Sequence, residues 1–368
     1  ALSKEPCAEY WLGAHPNFPS ILQLGSTEVS LVDFIKDHPK EALGNDAAVR
    51  FGALPFLFKV LDVAQMLSIQ VHPSLAEAGK GYEAEERAGV PVKAPHRNYK
   101  DRNHKPEQMV ALSDFWLLHG FKPAEKLQSV LSLVPELAFL SEVFAQQGYK
   151  HLYSLVMGMG QAEMNILLQP LADRIVPIYK DGQLGKESED FWAARAIDSF
   201  CKNGNFDRGL FSIYFFNLVH LKRGEGIFQP AGMPHAYLEG QNIEVMANSD
   251  NVLRGGLTDK HVAVEELLKH TLFEPTEPNI LYPDTAGWYD CPAEEFQLCQ
   301  AGNSSLPKEF NSRSAEILFV LKGSLQLHND KQELEVHAGE ACFICAHTQV
   351  QTLAETGTEV YRVAISRA

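Results

Sequence analysis

Three short stretches of the chain carry residue types that could do chemistry. They are Gln70-Val71-His72-Pro73, His104-Lys105-Pro106-Glu107 and Gln229-Pro230-Ala231-Gly232-Met233-Pro234-His235-Ala236-Tyr237. Together they place two imidazoles, a carboxylate and an amide in apolar, strand-like or turn settings, an inventory that suits one divalent metal inside a β-barrel. Gln70 and His72 are two residues apart, so on a strand both side chains point to the same face. His235 follows a turn rich in Gly and Pro, and Glu107 follows Pro106. None of the four is near the others in sequence, as expected for a barrel lined from several strands. Two neutral imidazoles and one carboxylate would leave a divalent ion with about one net positive charge, enough to act as a Lewis acid. Gln70 is the chemically weak member, because an amide is not a common zinc ligand. Taken singly, each of these residues reads more simply as a polar core or rim group with its own hydrogen-bond partner.

The elements that must position these residues fall into three textures. Up to about residue 120, short apolar strands are broken by Pro and Gly. Phe56–Leu61 and Leu67–His72 read as strands, and Ser30-x-x-Asp33 resembles a capping box opening one good helix. From about 121 to 206 the period is helical. Leu127, Val130, Leu131 and Val134 share a face behind Pro123, the pattern continues through Phe144, Leu155 and Met164 to Leu168, and Phe191 to Phe200 is another helical stretch. This Leu, Met and Phe stripe is expected to be core.

From about 207 strands return, with Phe211–Phe216 as one and at least two more in Gly224 to Val245. Thr258 looks like the N-cap of a helix running through Val262 to Leu268. After Pro275 only strands are expected: Ile317–Leu321, Ser324–His328, Glu333–Val336, Cys342–Ile344 and Val360–Ile365, with a turn at Asn329-Asp330. Strands at this spacing mean a sandwich or jelly roll. The expected fold is therefore mainly β with a helical insertion, divided into 1–120 with 207–274, an α-helical domain at 121–206, and a second β-domain at 275–368.

Composition bounds the partners. With 368 residues, two or three domains are the prior. A net charge of -15 repels nucleic acid and anionic membranes, so an anionic ligand needs a local basic pocket. The longest apolar run, Leu210 to Leu221, is too short and too interrupted to span a bilayer, and Lys4, Glu5 and Glu9 leave no apolar signal core at the start. Six scattered cysteines do not make a disulfide scaffold, and a reducing cytoplasm fits best. Cys342 and Cys345 form a C-x-x-C inside an apolar run and read as buried strand residues, not as a zinc or redox motif.

Gly224 followed by Pro230-x-Gly232-x-x-His235 resembles the second motif of the cupin superfamily. Two longer strings, Tyr99 to Glu107 and His235 to Lys260, resemble the two signatures of type I phosphomannose isomerases, as do Leu54 to Leu61, Gln70 to Pro73 and Trp11 to Pro16. The resemblance runs from Ala8 to about Lys260 and more loosely through the C-terminal β-region. It implies two cupin-like β jelly-roll domains, the first catalytic and the second without metal, plus the helical domain. It also implies one zinc held by Gln70, His72, Glu107 and His235 and a small-molecule sugar phosphate as substrate; a monomer is expected.

The family reaction converts mannose 6-phosphate to fructose 6-phosphate, an aldose–ketose isomerisation through a cis-enediol. Such chemistry needs an acid/base pair near the carbon and a cation to hold the enediolate oxygen. Arg254 is the family's active-site residue, and its plausible role is electrostatic clamping because a guanidinium does not readily lose a proton. Lys105 would shuttle protons or hold an oxygen. Glu244 and Asp250 both remain candidates for the base, each with the competing reading of a hydrogen bond to turn amides.

Leu75 stands where many relatives carry a basic residue, which shifts phosphate binding toward Lys80, Arg254 or Lys260. The family also has an opening strand ahead of the Trp11 position that this sequence does not include; if the native protein lacks it, one wall of the first barrel is open. Two other classes compete with the isomerase: a sugar-phosphate-binding cupin without activity, and an iron oxygenase using His72, Glu107 and His235 as a facial triad. Gln70 in the fourth position argues against the oxygenase.

Overall fold

The chain is described by a computed structural model covering residues 7–302, 305–330 and 332–366. Residues 1–6, where the first expected domain begins, lie outside it. Helix contributes about 31% and strand about 30%, so the fold is mixed, and the expectation of a mainly β chain is corrected. Part of the difference lies in three helices not expected from the sequence pattern, at Pro39–Leu43, Asn45–Arg50 and Leu75–Arg87. The last is capped by Ser74, whose hydroxyl accepts from Glu77 N at 3.4 Å. Ser30 does sit at the N-cap of Leu31–Asp37, but its side chain makes no capping bond.

Strand His235–Ala247 organises the first β-region. Its first half pairs with Gln70–Val71 and with Phe115–Phe121, and its second half with Phe56–Val63 and Glu107–Ala111. Among the described residues, two five-stranded layers thus share one strand within a nine-stranded sheet. The bend falls at Gly240, with φ +127° and room for no side chain: a Cβ there would lie 2.6 Å from Asp114 O.

Period-2 alternation sends successive residues of each strand to opposite faces, and both faces are buried. Leu61, Val63, Met109, Ala111, Phe115, Leu117 and Tyr237 pack together between the two layers, in a barrel-like interior. The other face of one layer (Phe56, Phe58, Val110, Ile243, Val245) packs on Ile317, Phe319, Tyr361 and Val363 of the C-terminal β-region. The other face of the second layer (Trp116, Leu118, Ala236, Leu238) packs on the helices. A register shift at Gly120, φ +62°, moves Phe121 from the barrel face to the helical core.

The helical stretch holds Ala124–Leu133, Phe139–Gly158, Gln161–Lys180 and Glu189–Phe200. Leu127, Leu131, Phe144, Met164 and Leu168 are core as expected, while Leu155 is 37% exposed. Phe211–Phe216 was expected to be a strand. It is instead the helix Gly209–Phe215, followed by the strand Phe216–Leu221. Every residue of that helix is buried, so its apolar run carries no period to tell helix from strand. The helix expected from Thr258 begins later, at Val264, because Thr258 lies in a turn where its hydroxyl accepts from Lys260 N. The strand expected over Leu67–His72 is regular only at Gln70–Val71.

Among the described residues, the C-terminal region forms two four-stranded sheets around a core that includes Leu318, Val320, Leu325, Val336, Cys342, Val350 and Val360. Cys342 is buried in strand Ala341–Ile344, and Cys345 follows that strand half-buried. Burial pushes the two thiols up to about 12 and about 11, which leaves them protonated and poor ligands at neutral pH.

Candidate metal centre

One end of the barrel interior is apolar; the other is polar. His72 leaves the short strand Gln70–Val71 fully buried, and its Nδ1 donates to Asn251 O at 2.8 Å. His235 opens the long strand after a turn in which Gly232 has φ +83°, and its Nδ1 donates to Met233 O at 2.9 Å. Each backbone carbonyl fixes the tautomer that turns a bare Nε2 inward. Glu107 begins the strand that pairs with the far end of His235–Ala247, and its two oxygens meet those nitrogens: Oε1 lies 3.4 Å from His72 Nε2 and Oε2 lies 3.1 Å from His235 Nε2. One ligand atom from each of His72, Glu107 and His235 falls within 4.8 Å of the others.

These residues fit a metal on the structure's own evidence. His72 Nε2 is buried and has no hydrogen-bond partner among the described residues, an arrangement costly for a folded protein unless something else takes the lone pair. Burial lowers the His72 pKa to about 4, so the ring is neutral and free to ligate. Burial alone would raise the Glu107 pKa, but Lys105 beside it opposes the rise, and the carboxylate is held well below its ordinary range.

Gln70 lines the same cavity and pairs directly with His235 on one side and Arg254 on the other. Side chains of directly paired residues project to one face, so His235, Gln70 and Arg254 form a row. Lys105 is buried with Nζ 3.2 Å from Glu107 Oε1. Glu244 is also inside, 4% exposed, with Lys59 Nζ 3.4 Å from Oε1 and the Tyr237 hydroxyl donating to Oε2 at 2.8 Å. Burial and the neighbouring Glu107 raise the Glu244 pKa, against the opposing pull of Lys59 and Lys105.

Asp250 stands apart from this group. It lies on the rim with a side chain 46% exposed, its carboxylate 3.3 Å from His15 Nε2, and the hydrogen bond from His15 lowers its pKa. Arg254 is half-buried, and its guanidinium has no hydrogen bond or ion pair among the described residues.

Several contributors escaped the sequence reading. Lys59 is a charge on the otherwise apolar alternating face of strand Phe56–Val63, the face that carries Leu61 and Val63; that parity was the available signal. Asn251 holds His72 with its carbonyl, while its side chain accepts from Lys100 N at 2.7 Å and donates to Asn103 O at 2.8 Å, tying the Glu107 loop to the same point. Glu295, from beyond Pro275, reaches His104 Nε2 at 2.6 Å. Nothing local in the sequence marks that contact.

The family model for the phosphomannose isomerase type I catalytic domain matches residues 2–124. Mannose-6-phosphate isomerase of Escherichia coli is 37% identical over 362 residues, covering 95% of this chain and 90% of the relative. The chain belongs to the mannose-6-phosphate isomerase family of enzymes. Mannose-6-phosphate isomerase 1 of Arabidopsis thaliana is 32% identical, covering 98% of this chain and 85% of the relative. Among solved family structures, a zinc-bound mannose 6-phosphate isomerase matches with a TM-score of 0.86 at 34% identity, covering 99% of this chain and 92% of that one. The Salmonella typhimurium enzyme bound to its substrate F6P and to zinc matches with the same TM-score, identity and coverage.

Proposed function

We propose that the chain is a zinc-dependent isomerase interconverting mannose 6-phosphate and fructose 6-phosphate by proton transfer between C1 and C2 through a cis-enediol. Zinc would be held by Gln70, His72, Glu107 and His235. The observation that carries this reading is the convergence of two tautomer-fixed Nε2 atoms on one carboxylate, with His72 Nε2 otherwise unpartnered. When bound there, zinc supplies a Lewis acid for the negative charge that develops on the sugar oxygens.

The remaining work falls to the chain's own residues. Glu244 is favoured as the base over Asp250: it lies in the cavity with a raised pKa, whereas Asp250 is tied to His15 with a lowered one. Lys105 would hold or move a proton at a sugar oxygen, and the unpartnered Arg254 would clamp developing charge. Lys59 and Tyr237 orient Glu244.

The reading also takes both β-regions as cupin-like jelly rolls, in the divisions 1–120 with 207–274, 121–206 and 275–368. It makes the protein a cytoplasmic monomer; the free thiols support a reducing compartment. A coupled assay should show turnover of mannose 6-phosphate that chelation abolishes and zinc restores. Full activity in metal-free protein would remove the zinc reading.

A further inference from the structure

We propose that Asp207, outside the cavity, is a positioning residue for the isomerase: its partly buried carboxylate fixes the turn that presents Arg254. This rests on the reading of Arg254 as a charge clamp.

The Arg254 guanidinium has no hydrogen bond or ion pair among the described residues, so its placement depends strongly on its backbone. Leu253–Arg254 pairs with Gln70–Val71, and the ladder continues through Gly255 N to Ile69 O at 2.9 Å and Ile69 N to Gly256 O at 3.0 Å. The chain then turns through two positive-φ residues, Gly256 at +124° and Leu257 at +52°. A branched residue such as Leu257 in that region is strained and persists only where the surroundings over-determine it.

Asp207 is what over-determines it. Its Oδ1 accepts from Leu257 N at 2.7 Å and from Gly209 N at 2.7 Å, and its Oδ2 faces Thr258 N at 3.4 Å. The clamp joins segments about fifty residues apart and packs them without side chains between: a Cβ on Gly256 would lie 2.5 Å from Gly209 N, and one on Gly209 would lie 2.7 Å from Leu257 N. Burial raises the Asp207 pKa while the three backbone amides oppose the rise. Only a group accepting at both oxygens satisfies all three amides, so an asparagine of equal size meets Thr258 N with a donor.

The test is a double-mutant cycle on zinc-loaded protein with Asp207→Asn and Arg254→Ala. Asp207→Asn should lower kcat about tenfold with KM within about twofold, since small misplacement of a charge-stabilising group costs transition-state binding selectively. Zinc content should be unchanged, and amide exchange should quicken at residues 255–258. In the Arg254→Ala background the same change should have almost no further effect on kcat. If Asp207→Asn does not fold, Gly209→Ala, which intrudes on the same turn, should reproduce the kcat-selective loss.

Equal losses in both backgrounds, or loss of zinc with loss of activity, would mark Asp207 as merely structural. Faster exchange with unaltered kcat would sink the positioning role alone. A wild type that does not turn over mannose 6-phosphate would overturn the functional reading and this inference with it.

Discussion

Replacing Tyr237 by Phe removes one hydroxyl from beneath the cavity and tests whether Glu244 is the base. That hydroxyl donates to Glu244 Oε2 at 2.8 Å and accepts from Gln229 Nε2 at 3.5 Å. Burial, with the nearby carboxylates of Glu244 and Glu107, keeps the phenol's pKa well above its ordinary value, so it stays a donor across the working pH range. The bond favours the charged form of Glu244 and holds down a pKa that burial raises. A hydrogen bond to a charged acceptor is worth about 1.5–3 kcal/mol, and each tenfold in proton affinity is about 1.4 kcal/mol.

Losing the bond should therefore move the Glu244 titration to higher pH. A base works deprotonated, so activity falls as pH drops through its pKa, and the acid limb of kcat/KM should shift upward with it. At high pH, where Glu244 is ionised in both proteins, kcat should recover toward the wild-type value. The 3.4 Å contact from Lys59 to the other oxygen remains and limits the shift. The measurement is a full pH profile of zinc-loaded wild type and Tyr237→Phe. An acid limb that stays in place while kcat drops evenly at every pH would refute Glu244 as the group whose ionisation limits the reaction.

The other expectations can be checked with the same protein preparations. His235→Ala should lose metal and activity together yet stay folded, because the barrel, helical and C-terminal cores are separate from the ligands; full metal occupancy by elemental analysis would show the ligand set is wrong. Arg254→Lys keeps the charge but loses the planar fork, so kcat should fall by about two to three orders of magnitude with a smaller change in KM and none in zinc; a KM-only effect would make Arg254 a phosphate grip instead. Converting Cys342 and Cys345 together to Ser places a hydroxyl in the C-terminal core and should lower Tm while kcat and zinc content hold; zinc loss would reveal a second metal site.

Spacing and residue type made the chemical inventory legible. Two imidazoles, a carboxylate and an amide in strand or turn settings can be read without coordinates because metal chemistry selects residue types and strand parity selects faces. Helices with a strong 3.6-residue stripe, such as Ala124–Leu133 around Leu127 and Leu131, were readable for the same reason.

Where a segment is buried all round, the period disappears, and Gly209–Phe215 went unrecognised as a helix. Thr258 looked like a cap because capping is judged from local sequence; a distant carboxylate, Asp207, holds that turn instead. Long-range pairing alone decided which of Glu244 and Asp250 enters the barrel, since both follow His235 in one string. Glu244 lies on the inward face of the long strand opposite Lys59, while Asp250 lies beyond its end and meets His15. The sequence determined which groups are available for chemistry; the pairing of two layers about one shared strand decided which of them meet, because register and burial depend on partners far away in the chain.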